Sequence, residues 1–245
     1  MKLATKYQVD GLRQRVVDIV EESWPRSFEE WIRFRGEFSA LRQAFISTSD
    51  GLVNGRRFLD SVPEPAAAIR LARDFDVPSI LPFAFYTLAG ITSDQQYEWD
   101  KLQRDDNSER LSVHVRAARW RLLDASDLLA VIRGREELAS WMDLPVARLW
   151  TDAYTLQKLL DAAAGRCSGF SRSCRDKVSV VLEKWKKVIY VHNDGCPDPL
   201  GILETLRDEH PAWNLCPHCT NELVKHIRDK QRIILNRLNG MLGLQ

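Results

Sequence analysis

The run Leu71-Ala72-Arg73-Asp74-Phe75-Asp76-Val77-Pro78-Ser79-Ile80-Leu81-Pro82-Phe83-Ala84-Phe85-Tyr86-Thr87-Leu88-Ala89 decides the fold. Its second half, from Val77 onward, is almost wholly apolar, and a helix with so little polar face is buried on every side. That predicts a central helix for the first domain. Its first half repeats the start of the chain in helical register: Leu3 with Leu71, Ala4 with Ala72, Tyr7 with Phe75, Val9 with Val77 and Leu12 with Ile80. Each copy reads as a helix end, a tight turn and the start of the next helix. Such a unit cannot bury its own apolar face and has to stack on neighbours. The first copy lacks a helix N-terminus, so the chain is expected to start in the middle of a larger helical assembly.

Upstream of the central run, Leu12, Val16, Val17, Ile19 and Val20 share one helix face, Asp10 is placed to cap it, and Trp24-Pro25 ends it. Ser27 followed by Glu30 has capping-box spacing and predicts a short helix over Phe28 to Phe34. The Ser-, Asp- and Gly-rich stretch from Ser47 to Val62 reads as a loop. Pro63-Glu64-Pro65 then opens a helix through Phe75, because proline is tolerated in a first turn.

Downstream, Thr92 to Asn107 is polar and is expected to be an insertion. Asp124-Ala125-Ser126-Asp127 caps a helix carrying Leu128, Leu129 and Ile132 on one side and running toward Trp141 despite Gly134. Another helix is expected over Pro145 to Ala164. Val178, Val181, Leu182, Trp185, Val188 and Ile189 have helical spacing, although their β-branched content leaves a strand open. Asp198-Pro199 starts a helix with Leu200, Leu203 and Leu206, and the last helix runs from about Thr220 to Gly240. The pattern holds no alternating strand of any length. An all-α chain is predicted: stacked helical hairpins over residues 1–165, then a smaller helical region with a cysteine cluster over residues 166–245.

The boundary near residue 165 follows from the cysteines, all five of which lie between Cys167 and Cys219. Cys216-Pro217-His218-Cys219 stands directly before a helix, where two thiolates can converge on one ion and helix N–H groups offset their charge. Cys167 and Cys174 are placed to supply a second pair. Four thiolates close a tetrahedral structural zinc site, although the six intervening residues exceed the usual ligand spacing; Cys196, His210 and His218 are substitute ligands. The competing reading is that these are small buried hydrophobes. A redox Cys-x-x-Cys needs a βαβ context that this pattern lacks.

Other constellations have plainer readings. Arg116, Arg119 and Arg121 surround Trp120 as in a base-stacking site, and Lys225, Arg228, Lys230, Arg232 and Arg237 line the last helix. Thirty-five basic against thirty-four acidic residues in 245 leave almost no net charge, which favours solvated helix faces over a nucleic-acid surface. The chain carries no Gly-rich phosphate loop, nucleophile elbow or metalloprotease signature, and His114 and His192 lie in unrelated segments. A non-enzymatic protein is expected. With no signal-like start and no apolar run of membrane-spanning length, it is expected to be intracellular, cytoplasmic or nuclear, with reduced cysteines and no membrane contact.

Lys2-Leu3-Ala4-Thr5-Lys6-Tyr7-Gln8-Val9-Asp10-Gly11-Leu12-Arg13 resembles the helical end of BTB (POZ) domains. Together with Ala68 to Phe75, Leu81 to Tyr86, Asp127 to Arg135 and Leu215 to Cys219, it is similar to the C-terminal, BACK-like half of fungal BTB-domain proteins, without the BTB sheet. The resemblance implies a protein-interaction or adaptor role with an unidentified protein partner or a second copy of the chain. The dimerisation helix and ligase-bridging residues of that family lie upstream of the matched region, so neither activity carries over. The alternative from another class is a zinc-stabilised nucleic-acid-binding module.

Overall fold

The computed structural model describes residues 10–48, 52–97, 116–142, part of the stretch from Cys174 to Lys184, and residues 198–244. The described residues are all-α apart from one two-residue hairpin. The chain divides into two compact units, one of Met1–Gly134 with Leu238–Gln245 and one of Arg135–Arg237. The expected boundary near residue 165 falls outside the described residues, as do the first copy of the repeat up to Val9 and the expected helix over Pro145 to Ala164.

In the first unit, α1 (Asp10–Ser23) ends before Trp24-Pro25, and α2 spans Phe28–Ile46. The Ser27 hydroxyl accepts from Glu30 N at 3.2 Å, as the capping spacing requires. The Glu30 carboxylate reaches one residue further back and accepts from Arg26 N at 2.7 Å. The helix runs well past Phe34, because Gly36 is the only weak helix former before a strong run to Phe45 and a lone glycine costs only ~1 kcal/mol.

The expected loop holds a hairpin of β1 (Leu52–Val53) and β2 (Arg56–Arg57), paired antiparallel. Its turn residues Asn54 and Gly55 have φ of 54° and 69°, the left-handed pair that two-residue hairpins need. A single turn, α3 (Phe58–Ser61), follows, with Phe58 set edge-on to Phe38 and Phe45.

The helix α4 (Pro65–Phe75) begins where Glu64 caps it, with carboxylate oxygens 3.0 and 2.7 Å from Ala66 N and Ala67 N. It ends at Asp76 in the left-handed conformation. A 3-10 turn (Pro78–Ile80) leads into α5 (Leu81–Ala89), where every residue but Pro82 is buried. The central apolar run is therefore the core, as its composition demands. Each such Phe, Leu or Ile contributes ~1.5–3 kcal/mol of burial. Around it, α4 packs on α5 and on α1, where the Arg13 guanidinium donates to Phe75 O at 2.8 Å. Trp31 of α2 stacks on Phe83 and meets Tyr86 edge-on, with centroids 5.6 and 5.3 Å apart.

After Gln96, which bridges to Ala118, a second 3-10 turn (Trp120–Leu122) precedes α6 (Ala125–Met142). Asp124 caps α6, its Oδ1 2.8 Å from Asp127 N. The side of α6 that carries Leu128, Leu129 and Ile132 faces solvent: they are 39%, 52% and 51% exposed, while Asp127, Ala130, Val131 and Gly134 are buried. Gly134 is packed so closely on Leu242 that a Cβ there would overlap the leucine Cδ2. That contact explains a glycine inside a helix that otherwise favours alanine.

In the second unit, Cys174, Val178 and Val181 are buried residues of a helical segment, which settles the helix-or-strand alternative for its described part. Asp198 accepts from Gly201 N at 2.9 Å and starts α7 (Pro199–Asp208), which buries Leu200, Ile202, Leu203 and Leu206. A 3-10 turn (His210–Trp213) buries Trp213. The long helix α8 (Pro217–Met241) begins three residues earlier than expected, because Pro217 suits a first helical position. Within this unit it buries Leu223, Ile227, Gln231 and Ile234, while Val224 and Leu235 are half-buried.

Candidate metal centre

The early start of α8 sets the geometry of the cysteines. Cys216 stands just before the helix, with its carbonyl accepting from Thr220 N at 3.0 Å, and Cys219 lies in the first helical turn. Asn214, at φ 52°, turns the chain between Trp213 and Leu215. The Asn214 carbonyl accepts from Lys177 Nζ at 2.9 Å. Lys177 lies three residues beyond Cys174, one helical turn away, so this bond fastens the segment carrying Cys174 to the loop carrying Cys216.

The result is a three-thiol cluster. The sulfur atoms of Cys174, Cys216 and Cys219 all lie within 4.8 Å of one another. Cys174 and Cys219 are buried, Cys216 is half-buried, and Leu215 packs against them. Tetrahedral zinc with Zn–S of ~2.3 Å sets its sulfurs ~3.8 Å apart, inside the span these three occupy. Three close cysteines of this kind are able to bind a metal ion.

Of the expected ligands, Cys174, Cys216 and Cys219 are brought together, while Cys167 and the substitute Cys196 lie outside the described residues. His218 does not join the cluster; its Nε2 is buried and has no hydrogen-bond partner among the described residues. The His210 ring lies 2.9 Å from Arg207 O through Nδ1 and edge-on to Trp213, and is likewise separate from the thiols.

The arginines around Trp120 are spread over different partners. Arg116 lies over Phe38 at 3.9 Å and over Phe34 at 5.5 Å, and Arg119 lies over Tyr97 at 4.6 Å. On α8, burial pushes the Lys230 pKa down, and burial with the nearby Lys230 charge does the same to His226. Lys225, Arg228, Arg232 and Arg237 are exposed. His114 and His192 lie outside the described residues.

Sequence reasoning missed a cleft of about 570 Å³ in the first unit, bounded by the end of α1, α2 from Glu30 to Leu41 and the link between α3 and α4. Its signal was present as Phe34, Phe38 and Leu41 at helical spacing beside Glu30, Arg33 and Glu37, a stripe hidden by reading α2 as a short helix.

Among known proteins, no family model, no curated protein and no solved structure matches this chain. No helix among the described residues is long and apolar enough to cross a membrane.

Proposed function

We propose that this chain is a non-enzymatic protein-interaction or adaptor module, resembling the helical half that follows a BTB domain, with its second unit held by a structural zinc ion. The observation that carries the interaction role is the row of Leu128, Leu129 and Ile132 on the solvent side of α6. Three large aliphatic side chains on one exposed helix face gain by being covered, at ~25 cal/mol per Å² removed from water. The observation behind zinc is the convergence of three thiols at the start of α8, with Cys167 as the fourth ligand in the proposed set. Bound there, zinc cross-links the Cys174 segment to α8 and supplies folding free energy rather than chemistry.

Two measurements on the full chain test the two halves of this reading. Elemental analysis of freshly purified protein is expected to give one zinc per chain, lost in Cys216→Ser. Absence of metal removes the zinc. For the interaction role, a photo-crosslinker placed at Ala125 is expected to capture a protein partner or a second copy. The Leu129→Asp/Ile132→Asp variant is expected to lose that product while keeping its helicity and zinc. A product that persists in the variant, or no product at all, removes the α6 face as the docking surface.

A further inference from the structure

We propose that the cleft between α1 and α2 binds a basic peptide segment of a partner protein, holding an arginine or lysine side chain with its stem on the aromatic lining and its charge among the rim carboxylates. This deepens the adaptor reading and rests on it, but it names a second surface with its own ligand chemistry.

The cleft, about 570 Å³, lies within the range of ~300–1,000 Å³ typical of sites that enclose a ligand. Its apolar wall is formed by Phe34, Phe38 and Leu41, each half-buried. Trp24 stacks on Phe34 with centroids 5.6 Å apart and makes that wall rigid. Arg116 already lies over both Phe34 and Phe38, so the wall offers an incoming stem apolar contact rather than a vacant cation site.

The rim supplies the opposite charge. Glu21, Glu22, Glu30 and Glu37 line the cleft against Arg26 and Arg33, and with Arg116 over the aromatic wall an excess of one carboxylate is left. Arg26 is committed to Glu21 at 3.3 Å and Glu30 at 3.6 Å. Hydrogen bonding from the Arg26 amide, reinforced by the arginine charge, holds the Glu30 carboxyl below its ordinary pKa and therefore ionised. Arg33 reaches Glu37 only at 3.9 Å, with both side chains about 71% exposed, and Glu22 has no ion-pair partner among the described residues. Glu22 and Glu37 are thus the carboxylates open to an incoming cation.

Apolar lining and acidic rim together match side chains with a long aliphatic stem and a charged head. Phosphate groups of nucleic acid or lipid would meet repulsion at the same rim.

The test uses the full chain and an array of decapeptides with arginine fixed at two positions and the rest varied, beside a matched array with glutamate fixed at those positions. Arginine peptides are expected to bind and glutamate peptides to fail. For the strongest binder, Glu22→Lys/Glu37→Lys is expected to weaken affinity at least fivefold at low salt with helicity unchanged, and Leu129→Asp/Ile132→Asp on α6 is expected to leave it unchanged. Equal binding of the two arrays, or a loss below fivefold in the charge-reversed variant, overturns the assignment. In that event the α6 crosslinking result still decides the adaptor reading separately.

Discussion

Arg73 Nη2 stands 3.4 Å from Asp127 Oδ1, joining α4 to the first turn of α6, and the Asp127 side chain is only 2% exposed. Burial, followed by the charge of Asp124, raises the Asp127 pKa, and Arg73 offsets only part of that rise. The folded state therefore binds this proton more tightly than the unfolded chain, whose carboxyl titrates near ~3.9. Between the unfolded and the raised folded value, stability falls as pH rises, because ionisation is disfavoured in the fold. Asp127→Asn removes that ionisation while keeping a side-chain oxygen for Arg73. Denaturant melts from pH 3.5 to 7 are expected to show a shallower decline for the variant than for the parent; parallel curves would assign the slope to other groups.

Glu64 holds two segments at once. Its Oε1 accepts from Ala66 N and from Arg119 N, each at 3.0 Å, so the cap of α4 also anchors the strand-like entry to the Trp120 turn. A cap alone contributes ~0.5–2 kcal/mol. Glu64→Ala is expected to cost ~2 kcal/mol in urea denaturation and to speed amide exchange at Arg119 as well as at Ala66 and Ala67. Faster exchange confined to α4 would mean that the Arg119 contact carries no stability.

How much of this was readable beforehand depends on whether the information is local. Starts at Ser27, Asp124 and Asp198 are encoded within three residues and were legible, as was the core run ending at Ala89, because composition alone buries it; at Pro63-Glu64-Pro65 the prolines marked the helix but not Glu64 as its cap. Asn54-Gly55 was a local hairpin signal overlooked inside a polar stretch, and Pro217 marked the start of α8 three residues ahead of the chosen one. The exposure of Leu129 and Ile132 was not local: their periodicity fits a buried face, and only the packing of Asp127, Val131 and Gly134 turns that side outward. For the thiols, the sequence named Cys174 with Cys216 and Cys219, which the structure brings together, while the Lys177–Asn214 bond that fastens the Cys174 segment to the Cys216 loop is invisible in sequence.

Gly134 and Gly36 make a matched pair, both inside long helices. A Cβ at Gly36 meets nothing within 4 Å, whereas one at Gly134 overlaps Leu242, a buried side chain. Gly36→Ala is expected to stabilise by up to ~1 kcal/mol through helix propensity. Gly134→Ala gains the same propensity but forces Leu242 aside at ~1–3 kcal/mol, so its net effect is expected to be zero to destabilising by ~2 kcal/mol. Pairing Gly134→Ala with Leu242→Ala should recover the propensity gain in a double-mutant cycle; strict additivity would show that the two residues do not press on each other.

Three thiols leave one position of a tetrahedral ion to fill, and the candidate is Cys167, seven residues ahead of Cys174 across Ser-Gly-Phe-Ser-Arg-Ser. Cobalt substitution reports ligand number and type directly, since tetrahedral thiolate sites give intense visible bands and sulfur-to-metal charge transfer. The parent protein is expected to give a four-sulfur spectrum, and Cys167→Ser a weaker charge-transfer band with tighter competition by chelator. Loss of the fourth thiolate should also move acid release of the metal to higher pH, because fewer thiolates hold the ion against protonation. An unchanged spectrum in Cys167→Ser would remove Cys167 from the ligand set.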